Sequence, residues 1–158
     1  MNKRFKNYDP SRPDLWEDHN RPWDFDHLLA QYQVSYNQGK FREVCYQWLD
    51  CIGNLQVVSF EENRSWQADK TDTKLKDPEE IKLALFENPE EIKKFSLDRD
   101  DINDGAKVAD FISAARDRLL RIYSAWFKDL DVAYLYHDVT QEISNEPEQR
   151  ERRFNFEV

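Results

Sequence analysis

The sequence predicts an α+β fold, with a short strand–strand–helix motif embedded in a mainly helical single domain. Three observations predict it. Two short runs, near 22–29 and 54–58, carry strand-like apolar patterns. A capped helix start follows the second run, and a long helical apolar stripe occupies the C-terminal half. With 158 residues the chain can build one compact core of ordinary size. The expected organisation is a domain over 1–140, with the motif core at 22–70 and a helical half at 77–136, then a polar tail over 141–158.

Taken in order, residues 1–21 are polar, rich in turn residues, and read as an extended lead-in. Trp23, Phe25 and Leu29 alternate roughly along 22–29 and predict the first strand. Residues 30–40 hold Asn37 and Gly39 with little periodicity and read as a loop. Phe41, Val44, Cys45, Trp48 and Leu49 fall at helical spacing, so 41–51 is expected to be a helix stopped by Gly53. Residues 54–58 predict the second strand. Ser59 and Glu62 form an S-x-x-E capping box, which starts a helix near Phe60 with Asn63 in its first turns. Asp77-Pro78 and Asn88-Pro89, each followed by two Glu, open two further helices. The last helix carries one apolar face from Val108 through Phe111, Ala115, Leu119 and Ile122 to Trp126 and Leu130.

Composition excludes several classes. Five Trp, seven Tyr and ten Phe are too many aromatics for a disordered chain, although 35% of residues are charged. Three glycines argue against a glycine-rich phosphate loop. Cys45 and Cys51 imply neither a disulfide framework nor a zinc site, and fit a reduced, cytoplasmic setting. No run approaches the ~20 apolar residues of a membrane span, and the basic N-terminus has no apolar stretch behind it, so neither a membrane nor a signal peptide is expected. The net charge of −9 counts against nucleic-acid binding by the domain alone. Local basic patches, or an N-terminal or separate partner domain, are expected to compensate. A start so close to the motif suits a domain cut from a longer protein.

Three strings carry chemistry: DFDHL at 24–28, IGNLQVV at 52–58 and ENRS at 62–65. Phosphodiester hydrolysis needs a cation to stabilise charge on phosphate and leaving oxygen, and a base for the attacking water. Hard cations favour oxygen ligands, and histidine suits the base. At a strand end entering a loop, Asp26 can hold a metal while His27 faces the water, and the Asn63 amide can close the metal shell.

These strings resemble the ββα-metal motif of HNH endonucleases. DFDHL is similar to the family's D-x-D-H-[IL] start, Asn54 to its middle Asn, and Asn63-Arg64 to its third position where Asn replaces the last His. The nine-residue step from Asn54 to Asn63 is similar to that in CRISPR RNA-guided endonucleases. The likeness is greatest to C-terminal HNH domains of modification-dependent restriction and anti-phage proteins of the GmrSD type, which read W-D-x-D-H, G-N, then N-R-S and a Lys. It covers roughly 14–70 and, loosely, the long helix with RDRLLRIYSAWF.

The resemblance implies a metal-dependent DNA endonuclease of cellular defence using Mg²⁺ or Mn²⁺. His27 would be the general base, Asp26 and Asn63 metal ligands, and Asn54 an orienter of His27 or a brace of its loop. Arg64 and Lys70 are the candidate phosphate contacts. Two departures stand out. Ala30 occupies the position of a family Pro, and Asn54 follows His27 by 27 positions, more than in compact members.

Plainer roles compete. Asp24 serves equally as a loop hydrogen-bond acceptor or a metal ligand, and Asn54 after Gly53 suits a turn. His19 and His137 read as structural or surface residues, Cys45 as core, and Trp16 and Trp23 as packing residues. Arg116, Arg118, Arg121 and Lys128 read as a solvated helix face, with a DNA-backbone strip as the sharper alternative. The main rival function is a catalytically degenerate HNH domain that only binds a partner. The second is a nucleotide-using transferase with Asp24-x-Asp26, disfavoured because no βαβ series is visible.

Overall fold

The computed structural model describes residues 23–134, apart from the side chain of Phe60. The expectations for the lead-in, Trp16, His19, His137 and the polar tail lie outside the described residues. The chain divides into two compact units, Met1–Leu119 and Leu120–Val158.

In the first unit, β1 (Trp23–His27) and β2 (Leu55–Ser59) pair antiparallel, with Asp26 opposite Gln56 and His27 opposite Leu55. Alternation along β2 buries Gln56 and Val58 on one face. Helix α3 (Phe60–Trp66) leaves β2 directly and packs against both strands. Its start follows the sequence expectation in detail. The Ser59 hydroxyl accepts from the Glu62 amide, and the Glu62 carboxylate accepts from the Ser59 amide.

Between the strands, Gln31–Ser35 forms a short helix, α1, where a loop was expected. It is one turn long, too short for a periodic signal to register, and Val34 alone of its residues is buried. Helix α2 (Arg42–Leu49) buries Cys45 and Leu49 of the expected stripe, while Val44 of the same stripe is exposed. It ends before Gly53, which lies instead in a 3₁₀ turn over Ile52–Asn54. Gly53 is required by packing: a β-carbon there would come within 2.0 Å of the Ala115 carbonyl oxygen.

Helix α4 (Thr71–Lys74) was not expected. Helices α5 (Pro78–Leu83) and α6 (Pro89–Phe95) start where the Asp77-Pro78 and Asn88-Pro89 signals lie, each capped by the side chain before its proline. A 3₁₀ turn over Asp101–Asn103 precedes α7 (Gly105–Asp129), whose Val108, Phe111, Ala114 and Ala115 enter the core. Phe86, Phe95 and Phe111 pack edge-on in sequence, with ring centroids 5.3 and 5.6 Å apart. The Cys45 thiol is part of this core, and burial pushes its pKa up to about 11.

Arg118 departs from the solvated-face reading. It is buried, donates to the carbonyls of Ala84, Gly53 and Leu55, and lies over the Phe86 ring. In the second unit, Ile122 is buried, while Trp126 and Leu130 of the expected apolar face are exposed.

Candidate functional site

Strand β1 ends at His27, and the next two residues are held from both sides. On one side, the Leu28 amide donates to the Asn54 backbone carbonyl at 2.8 Å, and the Leu29 amide to Asn54 Oδ1 at 2.9 Å. Asn54 is fully buried, and its Nδ2 donates to the Leu49 carbonyl at 2.9 Å. On the other side, Thr71 of α4 donates to the Leu28 carbonyl at 2.7 Å, and Lys74 Nζ to the His27 carbonyl at 3.0 Å. Four buried hydrogen-bonding groups thus set the loop that leads to Ala30. Asn54 spends its bonds on backbone rather than on the His27 ring, so of its two expected roles the geometry matches bracing.

A cleft of about 360 Å³ lies beside this loop, lined by Asp26, His27, Gln31, Tyr32, Asn63 and Gln67 among others. Three of the four motif residues singled out in the sequence therefore meet at one surface, and Asn54 sits behind it. The His27 ring is partly exposed, and its Nε2 lies 3.0 Å from Asp50 Oδ1, an exposed carboxylate just after α2. An exposed pair of this kind contributes little to stability. It can fix the ring's tautomer: with Nε2–H donated to Asp50, Nδ1 keeps the lone pair and is the basic atom. Asp50 was not expected. It lies 23 residues from His27, and no spacing rule links a residue following one helix to the end of a strand.

Asn63 projects from α3 and donates through Nδ2 to Asp24 Oδ2 at 2.8 Å, tying the helix to β1. Gln67 closes α3 with φ at 42°, a strained region for a residue with a side chain, beside the same cleft.

Asp26 has a different environment from the one expected of a metal ligand. It is buried, and its two carboxylate oxygens lie 2.8 and 3.1 Å from Lys74 Nζ, whose side chain is wholly buried. Gln56 Nε2 donates to Oδ2 of the same carboxylate at 2.8 Å. The donor types offered by Asp24, Asp26 and Asn63 suit a hard cation. Their arrangement does not. A divalent ion at Asp26 would meet an ammonium already bonded to both oxygens, in a low-dielectric pocket where like charges repel strongly. Among the described residues, no group of three or more His, Cys, Asp or Glu side chains is placed to hold a metal ion. Lys74 and Thr71 share one face of α4, three residues apart, and that T-x-x-K spacing was the signal available for them.

The candidate phosphate contacts lie apart from the cleft lining. Arg64 is exposed on α3. Lys70 donates to Asp98 Oδ2 at 3.0 Å. The amide of Asp101, then the Lys70 ammonium, hold the Asp98 carboxyl down at about 2, so Lys70 faces an ionised partner through the ordinary pH range.

Set against protein-family models, curated proteins and solved structures, the chain matches none. What the cleft can do follows from its own residues: an oriented imidazole at the rim, neutral amide donors of Gln31, Asn63 and Gln67 around it, and a neutralised carboxylate beneath.

Proposed function

We propose that this cleft hydrolyses phosphodiester bonds of nucleic acid, with His27 as general base. The observation that carries the reading is that His27, in contact with Asp50, lines a cleft together with Asn63, at the junction of two antiparallel strands and the helix that follows them. That order of elements, with the three motif strings on them, supports the resemblance to HNH endonucleases. In this mechanism Nδ1 of His27 takes the proton of the attacking water as its oxygen bonds phosphorus and the P–O bond to the leaving group breaks; the leaving oxygen takes a proton from solvent, and the imidazolium returns its own to solvent. Asp50 holds the ring and balances the imidazolium, and the amides of Asn63, Gln31 and Gln67 donate to phosphate oxygens. Asn63 also keeps α3 against β1 through Asp24. No step is assigned to a divalent ion, because Asp26 already carries Lys74. We take DNA as the substrate and defence against foreign or modified DNA as the cellular role, on the motif resemblance alone.

The Asp26–Lys74 pair favours a second reading: a degenerate HNH domain that binds a partner without turnover. Hydrolysis of bis(p-nitrophenyl) phosphate separates the two, since a small diester needs no nucleic-acid grip. We expect the wild type to release nitrophenolate, and Asn63→Ala to slow it about 100-fold, the cost of losing one preorganised donor. Assays with Mg²⁺, Mn²⁺ or EDTA measure any metal dependence. Absence of turnover in all three would leave the binding-module reading.

A further inference from the structure

Beside the cleft, two exposed tyrosines meet an arginine. Tyr32, near the start of α1, and Tyr36, just after its end, stand about one helical turn apart, with ring centroids 5.0 Å apart and planes tilted by 51°. Both are well exposed, Tyr36 by 68%. The Arg99 guanidinium lies 4.4 Å from the Tyr32 ring centre and 5.5 Å from that of Tyr36. Tyr32 lines the His27 cleft, and Tyr36 lines a second hollow of about 550 Å³ formed by residues 35–40 with Arg42 and Glu43. The two touching rings therefore join the hollows. Lys40 and Arg42 line the second one, and Glu43 is its acidic member.

This arrangement is held in place rather than improvised. The Asn37 side chain donates to the Arg99 carbonyl and accepts from the Gly39 amide, which ties the α1–α2 turn to the Arg99 segment. The rings and the guanidinium are thus presented by backbone fixed from both sides, and little ordering remains to be done on binding.

We infer that Tyr32, Tyr36 and Arg99 form a stacking platform for the unpaired bases of a single-stranded nucleic acid, with Lys40 and Arg42 meeting its phosphates. Exposed aromatic faces beside a local cationic hollow are what sequence-tolerant single-strand binders use. A duplex keeps its base faces inside the stack and cannot use the rings. Lys40 and Arg42 outnumber Glu43 in the second hollow, a local cationic excess in a chain of net charge −9, while Asp98 and Asp100 flank Arg99 and steer phosphates toward the hollow rather than toward the guanidinium. The inference deepens the proposed function by naming its substrate class: the strand enters unpaired, with its scissile phosphate at His27 and its flanking bases on Tyr32 and Tyr36.

The test is binding of fluorescein-labelled dT12 and rU12, and of a 12-base-pair DNA duplex, to the full chain in EDTA at low salt. Binding without turnover keeps this result separate from the hydrolytic reading. We expect at least one single strand to bind more tightly than the duplex. Tyr36→Ala and Tyr32→Ala should each weaken that binding roughly tenfold, while Tyr36→Trp retains it at an unchanged melting temperature. A preference between dT12 and rU12 identifies the strand chemistry. Equal or tighter binding of the duplex, no binding of either strand, or alanine variants that bind like the wild type would overturn the platform. If the strands bind as expected but no diester is cleaved, only the catalytic reading fails.

Discussion

Lys74→Met should destabilise the fold by about 3–5 kcal/mol, the usual cost of leaving one charge of a buried pair without its partner. The ammonium bonds both oxygens of Asp26 and the His27 carbonyl, and its side chain is wholly buried. Methionine fills similar space but leaves a buried carboxylate with only the Gln56 amide beside it. The melting temperature should fall by about 10–20 °C. The double variant Asp26→Asn, Lys74→Met removes both charges and should recover most of the loss, because a buried pair is often close to neutral against uncharged replacements. Thermal melts of the wild type and the variants check this. A single variant as stable as the wild type would mean that Lys74 does not neutralise Asp26, and would reopen Asp26 to a metal ion.

The second large effect is kinetic. His27→Ala should lower diester hydrolysis by about 10²–10⁴-fold, the range for loss of a positioned general base. Asp50→Asn should cost less, about 10–100-fold, as for other residues that orient a functional histidine. An asparagine amide can donate as well as accept, so it no longer forces the proton onto Nε2 and the basic lone pair onto Nδ1. Asp50→Asn should not move the melting temperature much, since that carboxylate is exposed to solvent. Equal loss in both variants would point to a collapsed loop; no loss in Asp50→Asn would remove Asp50 from the mechanism.

Local signals in the chain announced most of the elements and three of the cleft residues. The Ser59–Glu62 box, the two capped prolines and the Phe41–Leu49 stripe each act within one or two helical turns, so the sequence carries them directly. His27, Asp26 and Asn63 were found through short motifs on such elements. The partners that decide the site's chemistry were not. Lys74 reaches Asp26 across 48 positions, and Asp50 reaches His27 across 23. Such pairs form only when the α2 end and α4 dock against the strand, and no periodicity encodes docking. The Arg118 misreading has the same origin. Its charge suggested a solvated face, but its long stem lets the guanidinium reach the carbonyls of Gly53 and of Leu55 at the start of β2. Tyr32 and Tyr36 escaped notice because α1 is a single turn inside what read as a loop.

The most direct test of the central claim is conversion of supercoiled plasmid, and of the same DNA melted to single strands, by wild-type and His27→Ala protein purified side by side. The account predicts cleavage by the wild type, faster on the melted DNA, and a loss of about 10²-fold or more in His27→Ala. Equal cleavage by the two proteins would contradict it and assign the activity to another site or to a contaminant.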